Sequence, residues 1–207
     1  MKAPITYQSN FIVNPEIALT RLQNELDWQQ RDQTPRQEYY WNHFGVPYTY
    51  GTGRGQREYL AQPDHEIISE IRKQLEELTK TKFEVCFLNR YPNQSNHLGW
   101  HADDSPEMDD ARPIAIVSLG VGREIWFRSI LGPQCSSCGE KKYHKMDCNV
   151  RTSRKTIYGE IEKLQLENGS LCLMQAGMQD VWQHRIPKAS FHCGERISLT
   201  YRGYVKD

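Results

Sequence analysis

Apolar residues recur along the chain with two different periods. Near the N-terminus, Asn14-Pro15 precedes Ile17, Leu19, Leu22 and Leu26, a spacing that predicts a proline-opened helix with one apolar face. A second helix is predicted after Asp64, a residue able to cap it, with Ile67, Ile68, Ile71, Leu75 and Leu78 on one face. The Tyr-, Gly- and Arg-rich stretch from Thr34 to Tyr59 reads as loops and short strands. From Lys82 onward the period shortens to two. Phe83, Val85 and Phe87; Ile114, Ile116 and Ser118; Ile125 and Phe127; Leu171 and Leu173; and Ile197, Leu199 and Tyr201 mark successive strands. Short strands between Gly- and Pro-marked turns predict a mainly β fold, a sandwich or jelly roll, with the two N-terminal helices on one outer face. No repeat or linker divides residues 1–207, so one domain is expected.

Composition narrows the function classes. The chain carries 26 basic and 26 acidic side chains, so no global field draws it to nucleic acid, and any such partner must be held by local patches. Acidic residues cluster at Asp103, Asp104, Glu107, Asp109 and Asp110, and basic ones at Lys141, Lys142, Lys145, Arg151, Arg154 and Lys155. No apolar run approaches the roughly 18 residues of a membrane span, and the first residues lack the apolar core of a secretory signal. A cytoplasmic monomer (nuclear if eukaryotic), not secreted and with reduced thiols, is expected. Six cysteines in such a chain do not form a disulfide framework. Cys86 and Cys172 lie in apolar runs and read as small core residues, whereas Cys193 has no evident partner.

The candidate chemistry begins at His101-Ala102-Asp103. On a strand, residues i and i+2 share a face, so both side chains could reach one ion. His184, in Val181-Trp182-Gln183-His184-Arg185-Ile186-Pro187, supplies a third ligand. Two histidines and one carboxylate leave three metal positions open, the arrangement suited to non-haem Fe(II) and oxygen. The segment Arg196-Ile197-Ser198-Leu199-Thr200-Tyr201-Arg202 places Arg196, Ser198, Thr200 and Arg202 on one face of a strand. Two inward arginines are costly to bury unpaired, and a bound dicarboxylate would resolve that cost.

These pieces together resemble the AlkB-type nucleic-acid dealkylases, Fe(II)- and 2-oxoglutarate-dependent enzymes, from about Pro35 to Tyr204. The resemblance rests on Asn89-Arg90-Tyr91-Pro92, His101-Ala102-Asp103-Asp104, Trp182-Gln183-His184 and Arg196-x-Ser198-x-Thr200-x-Arg202 in that order. It implies a double-stranded β-helix, a jelly-roll variant, with His101, Asp103 and His184 as iron ligands. It matches Arg202 to the arginine that grips the distal carboxylate of 2-oxoglutarate, helped by Asn89, Tyr91 and Thr200, and Arg196 to a second arginine at the iron-proximal end. The implied activity is oxidative demethylation of N-alkylated bases in DNA or RNA. Formaldehyde would be released as 2-oxoglutarate becomes succinate and CO2.

A base must leave the stack to reach buried iron. By the same match, Arg36 in Pro35-Arg36-Gln37 approaches the nucleic acid, and Tyr48 and Tyr50 in Tyr48-Thr49-Tyr50-Gly51 line a base pocket. The family often carries an acid where Ser105 stands; Asp104 is the substitute candidate for contact with the base. Residues 129–168 form a longer insertion holding Cys135, Cys138, His144 and Cys148, a spacing able to close on zinc beside basic residues or to remain a loop of uninvolved thiols. Two other functions stay open: a 2-oxoglutarate-dependent hydroxylase of a protein or small molecule, and a catalytically dead nucleic-acid-binding module.

Overall fold

A computed structural model describes residues 2–31, 34–50, 56–131 and 158–205. In chain order the elements are β1 (Ile5–Gln8), α1 (Pro15–Glu25), β2 (Gln29–Gln30), β3 (Gln37–Asn42), β4 (Tyr48–Tyr50), β5 (Arg57–Tyr59), α2 (Glu66–Thr79), β6 (Val85–Tyr91) and β7 (Leu98–His101). There follow β8 (Ile114–Gly120), β9 (Arg123–Ser129), β10 (Glu162–Leu166), β11 (Ser170–Met174), β12 (Trp182–Ile186) and β13 (Arg196–Arg202). The strands form a seven-stranded sheet in the order β1-β11-β8-β13-β6-β3-β2, a four-stranded sheet in the order β10-β9-β12-β7, and the separate hairpin β4-β5.

Strand β13 shows why the layers stack as they do. It lies between β6 and β8, and all seven of its residues are buried. Its apolar set, Ile197, Leu199 and Tyr201, joins a core with Ala18 and Leu22 of α1 and Ile68, Ile71 and Leu75 of α2. The Tyr201 hydroxyl donates to the Ile68 carbonyl of α2 at 2.9 Å, tying helix to sheet. The opposite face of the large sheet packs on the small one: Ile114, Ile116, Cys172 and Met174 meet Ile125, Phe127, Trp182 and Ile186. The order is therefore helices, seven-stranded sheet, four-stranded sheet. The polar set of β13, Arg196 to Arg202, is enclosed between the two sheets. Cys86 and Cys172 are core residues, and Cys193 is buried as well.

Several local expectations are corrected. On α1 the buried residues are Ala18 and Leu22, four apart, with Leu26 buried just past the helix end, and Ile17, about a quarter-turn from Ala18, is 60% exposed. On α2 the stripe ends at Leu75, and Leu78 in the last turn is 51% exposed. His65, rather than Asp64, caps α2: its ring nitrogen accepts from the Ile67 amide, while Asp64 accepts from the Ser69 hydroxyl. The candidate zinc set, Cys135, Cys138, His144 and Cys148, lies outside the described residues, as does the basic run beside it. No helix among the described residues is long and apolar enough to cross a membrane.

Helix α2 generates a direct test of its buried face. Leu75→Ala should destabilise by about 2–5 kcal/mol through lost burial and a cavity, whereas Leu78→Ala should stay within about 0.5 kcal/mol. Urea denaturation of the two variants checks both values.

Candidate active site

The site begins with an irregularity in an edge strand. Among the described residues, strand β7 pairs with β12 alone, where His184 faces His101 and Ile186 faces Leu98. Three steps along β7 therefore match two along β12, so β7 carries a bulge at Gly99 and Trp100. The bulge breaks the two-residue alternation, letting both Leu98 and His101 point into the space between the sheets. The imidazoles of His101 and His184 meet with centroids 4.2 Å apart.

Asp103 arrives differently from the expected strand geometry. Strand β7 ends at His101, so Asp103 stands in the following loop. Its amide donates to Gln179 Oε1 at 2.9 Å, and its Oδ1 accepts from Arg202 Nη2 at 2.6 Å. The carboxylate oxygens then lie 3.6 Å from His101 Nε2 and 3.6 Å from His184 Nε2. Ligand-capable atoms of all three residues lie within 4.8 Å of one another, close enough to hold one metal ion.

The charges are prepared for such an ion. Burial would push the Asp103 carboxyl up, but Arg202 and the two histidines outweigh it and hold it below the usual carboxylate range. Burial keeps the His101 imidazole below its ordinary value despite Asp103, which favours the neutral ligand form. His101 Nδ1 donates to the Gly99 carbonyl at 2.9 Å, leaving Nε2 with its lone pair toward Asp103. Asp103 Oδ2 is buried without a hydrogen-bond partner, and a cation would satisfy it. The donor set, two imidazoles and a carboxylate, fits Fe(II).

Anion-binding capacity lies on the inner face of β13. Arg196 is fully buried; its Nε donates to Ser118 Oγ at 2.7 Å and its Nη2 to Ser198 Oγ at 3.3 Å. Its Nη1 has no hydrogen-bond partner, and no carboxylate among the described residues pairs with it. Burial lowers its pKa to about 10. Arg202 is the reverse case: burial disfavours its charge, yet Asp103 and Tyr48 outweigh that and raise its pKa, while Nε stays unpaired. A buried cation with unused N–H groups is the feature that a bound carboxylate completes.

Beside the metal cluster lies a cavity of about 130 Å³, lined by Arg36, Tyr48, Tyr50, Arg57, Tyr59, Phe87, Asn89, Leu98, His101, Asp103 and Arg202. Hairpin β4-β5 supplies one wall. Tyr48 stacks on Tyr59, with centroids 5.9 Å apart and planes 22° apart, and Phe87 meets Tyr59 edge-on. Residues 10–202 match the sequence model of the 2OG-Fe(II) oxygenase superfamily. The chain belongs to that superfamily.

Within the superfamily the chain is homologous to AlkB-type members. It is 28% identical over 197 residues to alpha-ketoglutarate-dependent dioxygenase alkB homolog 3 of Bos taurus, covering 90% of this chain and 60% of that protein. It is 28% identical over 185 residues to DNA oxidative demethylase ALKBH2 of Mus musculus, covering 89% and 67%. Against the Arabidopsis thaliana ALKBH2 it is 34% identical over 146 residues, covering 68% and 43%. The chain thus spans about 60% of the length of the first of these relatives. The structure of OsALKBH1 superposes with a TM-score of 0.54 at 15% identity, covering 98% and 99% of the two chains. A Pseudomonas putida prolyl-4-hydroxylase superposes with a TM-score of 0.56 at 14% identity, covering 100% and 95%. Both likenesses concern the fold alone.

The oxygenase fold gathers Arg36, Tyr48, Tyr50, Asn89, His101, Asp103 and Arg202 around one cavity, with His184 completing the metal cluster. Tyr91, Arg196 and Thr200 stand apart from that lining on the inner faces of β6 and β13, where Arg196 pairs in register with Tyr91. Arg202 stands beside Asp103, whereas six residues of strand, about 20 Å, separate it from Arg196. Asp104 is exposed and outside the lining, and Ser105 instead hydrogen-bonds the Tyr48 hydroxyl at 2.5 Å. Arg36 also turns inward: its Nη2 pairs with buried Glu38 at 2.7 Å and its Nε donates to Asn89 Oδ1. Glu38, Arg57, Tyr59, Phe87 and Gln179 join the site although none belongs to a motif, and in the sequence Phe87 shows only as a strand residue.

Glu38 lies behind this wall, 1% exposed, and its carboxylate also approaches Arg31 Nε at 3.6 Å. Glu38→Ala should cost about 1–3 kcal/mol, because it removes the carboxylate partner of the half-buried Arg36 guanidinium. Thermal and denaturant unfolding of the purified variant checks this.

Proposed function

We propose that this protein is an Fe(II)- and 2-oxoglutarate-dependent oxygenase that removes alkyl groups from the bases of DNA or RNA. The observation that carries the reading is the cavity itself, where the two-histidine, one-carboxylate cluster lies beneath a wall of stacked tyrosines and arginines. Aromatic faces suit an extruded base, and arginines suit the phosphates beside it. Similarity to proteins named as DNA oxidative demethylases, over most of this chain, supports the same substrate class. The two facing sheets are read as the halves of a double-stranded β-helix.

His101 Nε2, an Asp103 oxygen and His184 would hold the iron. Arg202, with Asn89, would receive the end of 2-oxoglutarate nearest the metal, and Arg196, with Tyr91 and Thr200, would neutralise the inner end. Iron and 2-oxoglutarate held there would, with dioxygen, supply the oxidising chemistry: one oxygen atom would enter succinate as CO2 leaves, and the other would hydroxylate the alkyl carbon, which departs as an aldehyde. The protein's own contribution is positional. Gln179 and Arg202 aim the Asp103 carboxylate, and Gly99 fixes the His101 tautomer. Tyr48, Tyr50, Tyr59 and Phe87 form an apolar wall that keeps water from the target base. Arg36 and Arg57 stand at the same wall, where they would hold the flanking strand.

Purified protein supplied with Fe(II) and 2-oxoglutarate should release formaldehyde from N-methylated single- or double-stranded DNA or RNA oligomers. Absence of formaldehyde across that panel, with succinate formed from a protein or small-molecule substrate instead, would sink the nucleic-acid assignment. His101→Ala and Asp103→Ala should abolish turnover with the circular-dichroism spectrum retained. Arg196→Ala and Arg202→Ala should each raise the 2-oxoglutarate requirement more than about tenfold, given about 1.5–3 kcal/mol per charge-assisted hydrogen bond. Titration of succinate formation against 2-oxoglutarate checks this.

A further inference from the structure

The outer face of the four-stranded sheet carries a continuous stack of cations and aromatic rings. The Arg128 guanidinium lies 3.4 Å from the Tyr158 ring centroid and 4.2 Å from that of Trp100. Arg185 lies 4.8 Å from Trp100 and 4.2 Å from Trp126, and Lys163 Nζ closes the row 4.3 Å from Trp126. Every step is within the roughly 6 Å over which a ring quadrupole attracts a cation. The row runs Tyr158, Arg128, Trp100, Arg185, Trp126, Lys163, and it crosses all four strands of the sheet. Arg128 is further fixed by donating from Nε and Nη2 to Gln183 Oε1, at 3.0 and 2.7 Å.

Two members of this column, and the glutamine that holds Arg128, are sequence neighbours of the two histidines. Trp100 precedes His101, and Gln183 and Arg185 flank His184. Strand β7 needs such a fastening. It is four residues long, sits at the sheet edge, and is bulged at the residue before its ligand. An edge strand so short has little ladder to hold its register, and a slip of one residue turns every side chain to the opposite face. Trp100 is the side chain that the bulge sends outward, and its ring there meets the Arg128 and Arg185 guanidiniums at 4.2 and 4.8 Å.

We propose that Trp100 and Arg185 are positioning residues, whose stacking on the outer face holds β7 in register on β12 and so keeps His101 opposite His184. The inference rests on the reading of His101, Asp103 and His184 as the metal site. The column touches neither metal nor substrate; it acts through the backbone of the two ligand strands. Its loss should weaken metal binding before any chemistry takes place.

Mn(II) binding, measured anaerobically without 2-oxoglutarate or substrate, tests this in four proteins: the parent, Trp100→Leu, Trp100→Phe and Arg185→Met. Each is used well below its own unfolding temperature. Trp100→Leu keeps apolar bulk but removes the ring face, and Arg185→Met keeps the stem but removes the cation. Both should bind Mn(II) about 10–100-fold more weakly, the range for residues that orient ligands from outside the coordination sphere. Trp100→Phe, which restores a ring face, should recover most of that loss. A folded Trp100→Leu protein that binds Mn(II) like the parent overturns the proposal; if that variant does not fold, Arg185→Met decides by the same criterion. Weakening that Trp100→Phe shares in full also overturns it, since stacking would then be irrelevant. A parent that binds no Mn(II) overturns the metal-site reading, and the column's role with it.

Discussion

The buried ion pair between Arg202 and Asp103 joins the two halves of this molecule. Arg202 belongs to the central strand of the large sheet, and Asp103 follows the edge strand of the small one. Removed from water, neither charge is stable alone, and each holds the other ionised. The pair brings a loop carboxylate to two histidines that the β-ladder has already placed side by side. It also places one guanidinium at the cavity floor with Nε still unpaired. Metal site and anion site therefore share one electrostatic origin.

The inner face of β13 extends the same constraint inward. Arg196 lies at its other end with hydroxyl partners and the Tyr91 ring, which is modest compensation for a fully buried cation. The aromatic hairpin wall is a separate device. It makes a shaped entrance without touching the metal residues covalently or through the sheet ladder. Because fold likeness extends to both OsALKBH1 and a prolyl-4-hydroxylase, the fold alone leaves the substrate class open. The side chains on that wall carry the choice.

Elements with strong periodicity were legible in the sequence. The strands through Ile114, Ile125, Leu171 and Ile197 are where alternation placed them, and the helices occupy the outer face of the large sheet. What failed was finer than periodicity. Ile17 and Leu78 look equivalent to their buried neighbours in a list of apolar positions, but the contact stripe follows the sheet surface and excludes both. The His-x-Asp motif suggested one strand face. The structure instead ends the strand at His101 and inserts a bulge before it, because a ligand set for one ion needs angles that a regular pleat does not supply.

The identities of the chemical groups could be read locally: two imidazoles, a carboxylate, two arginines on one strand face and a tyrosine-rich stretch. Local rules read these because spacing along one element dictates which side chains share a face. Only the tertiary structure decided which arginine stands beside the metal cluster. It also turned Arg36 inward to Glu38, made Gln179 the anchor of Asp103, and brought Trp100 against Arg128 and Arg185. Each of those contacts joins residues from different elements, many positions apart in the chain. Their partners are set by how two sheets pack, a global minimum of burial and charge compensation that no window of sequence contains.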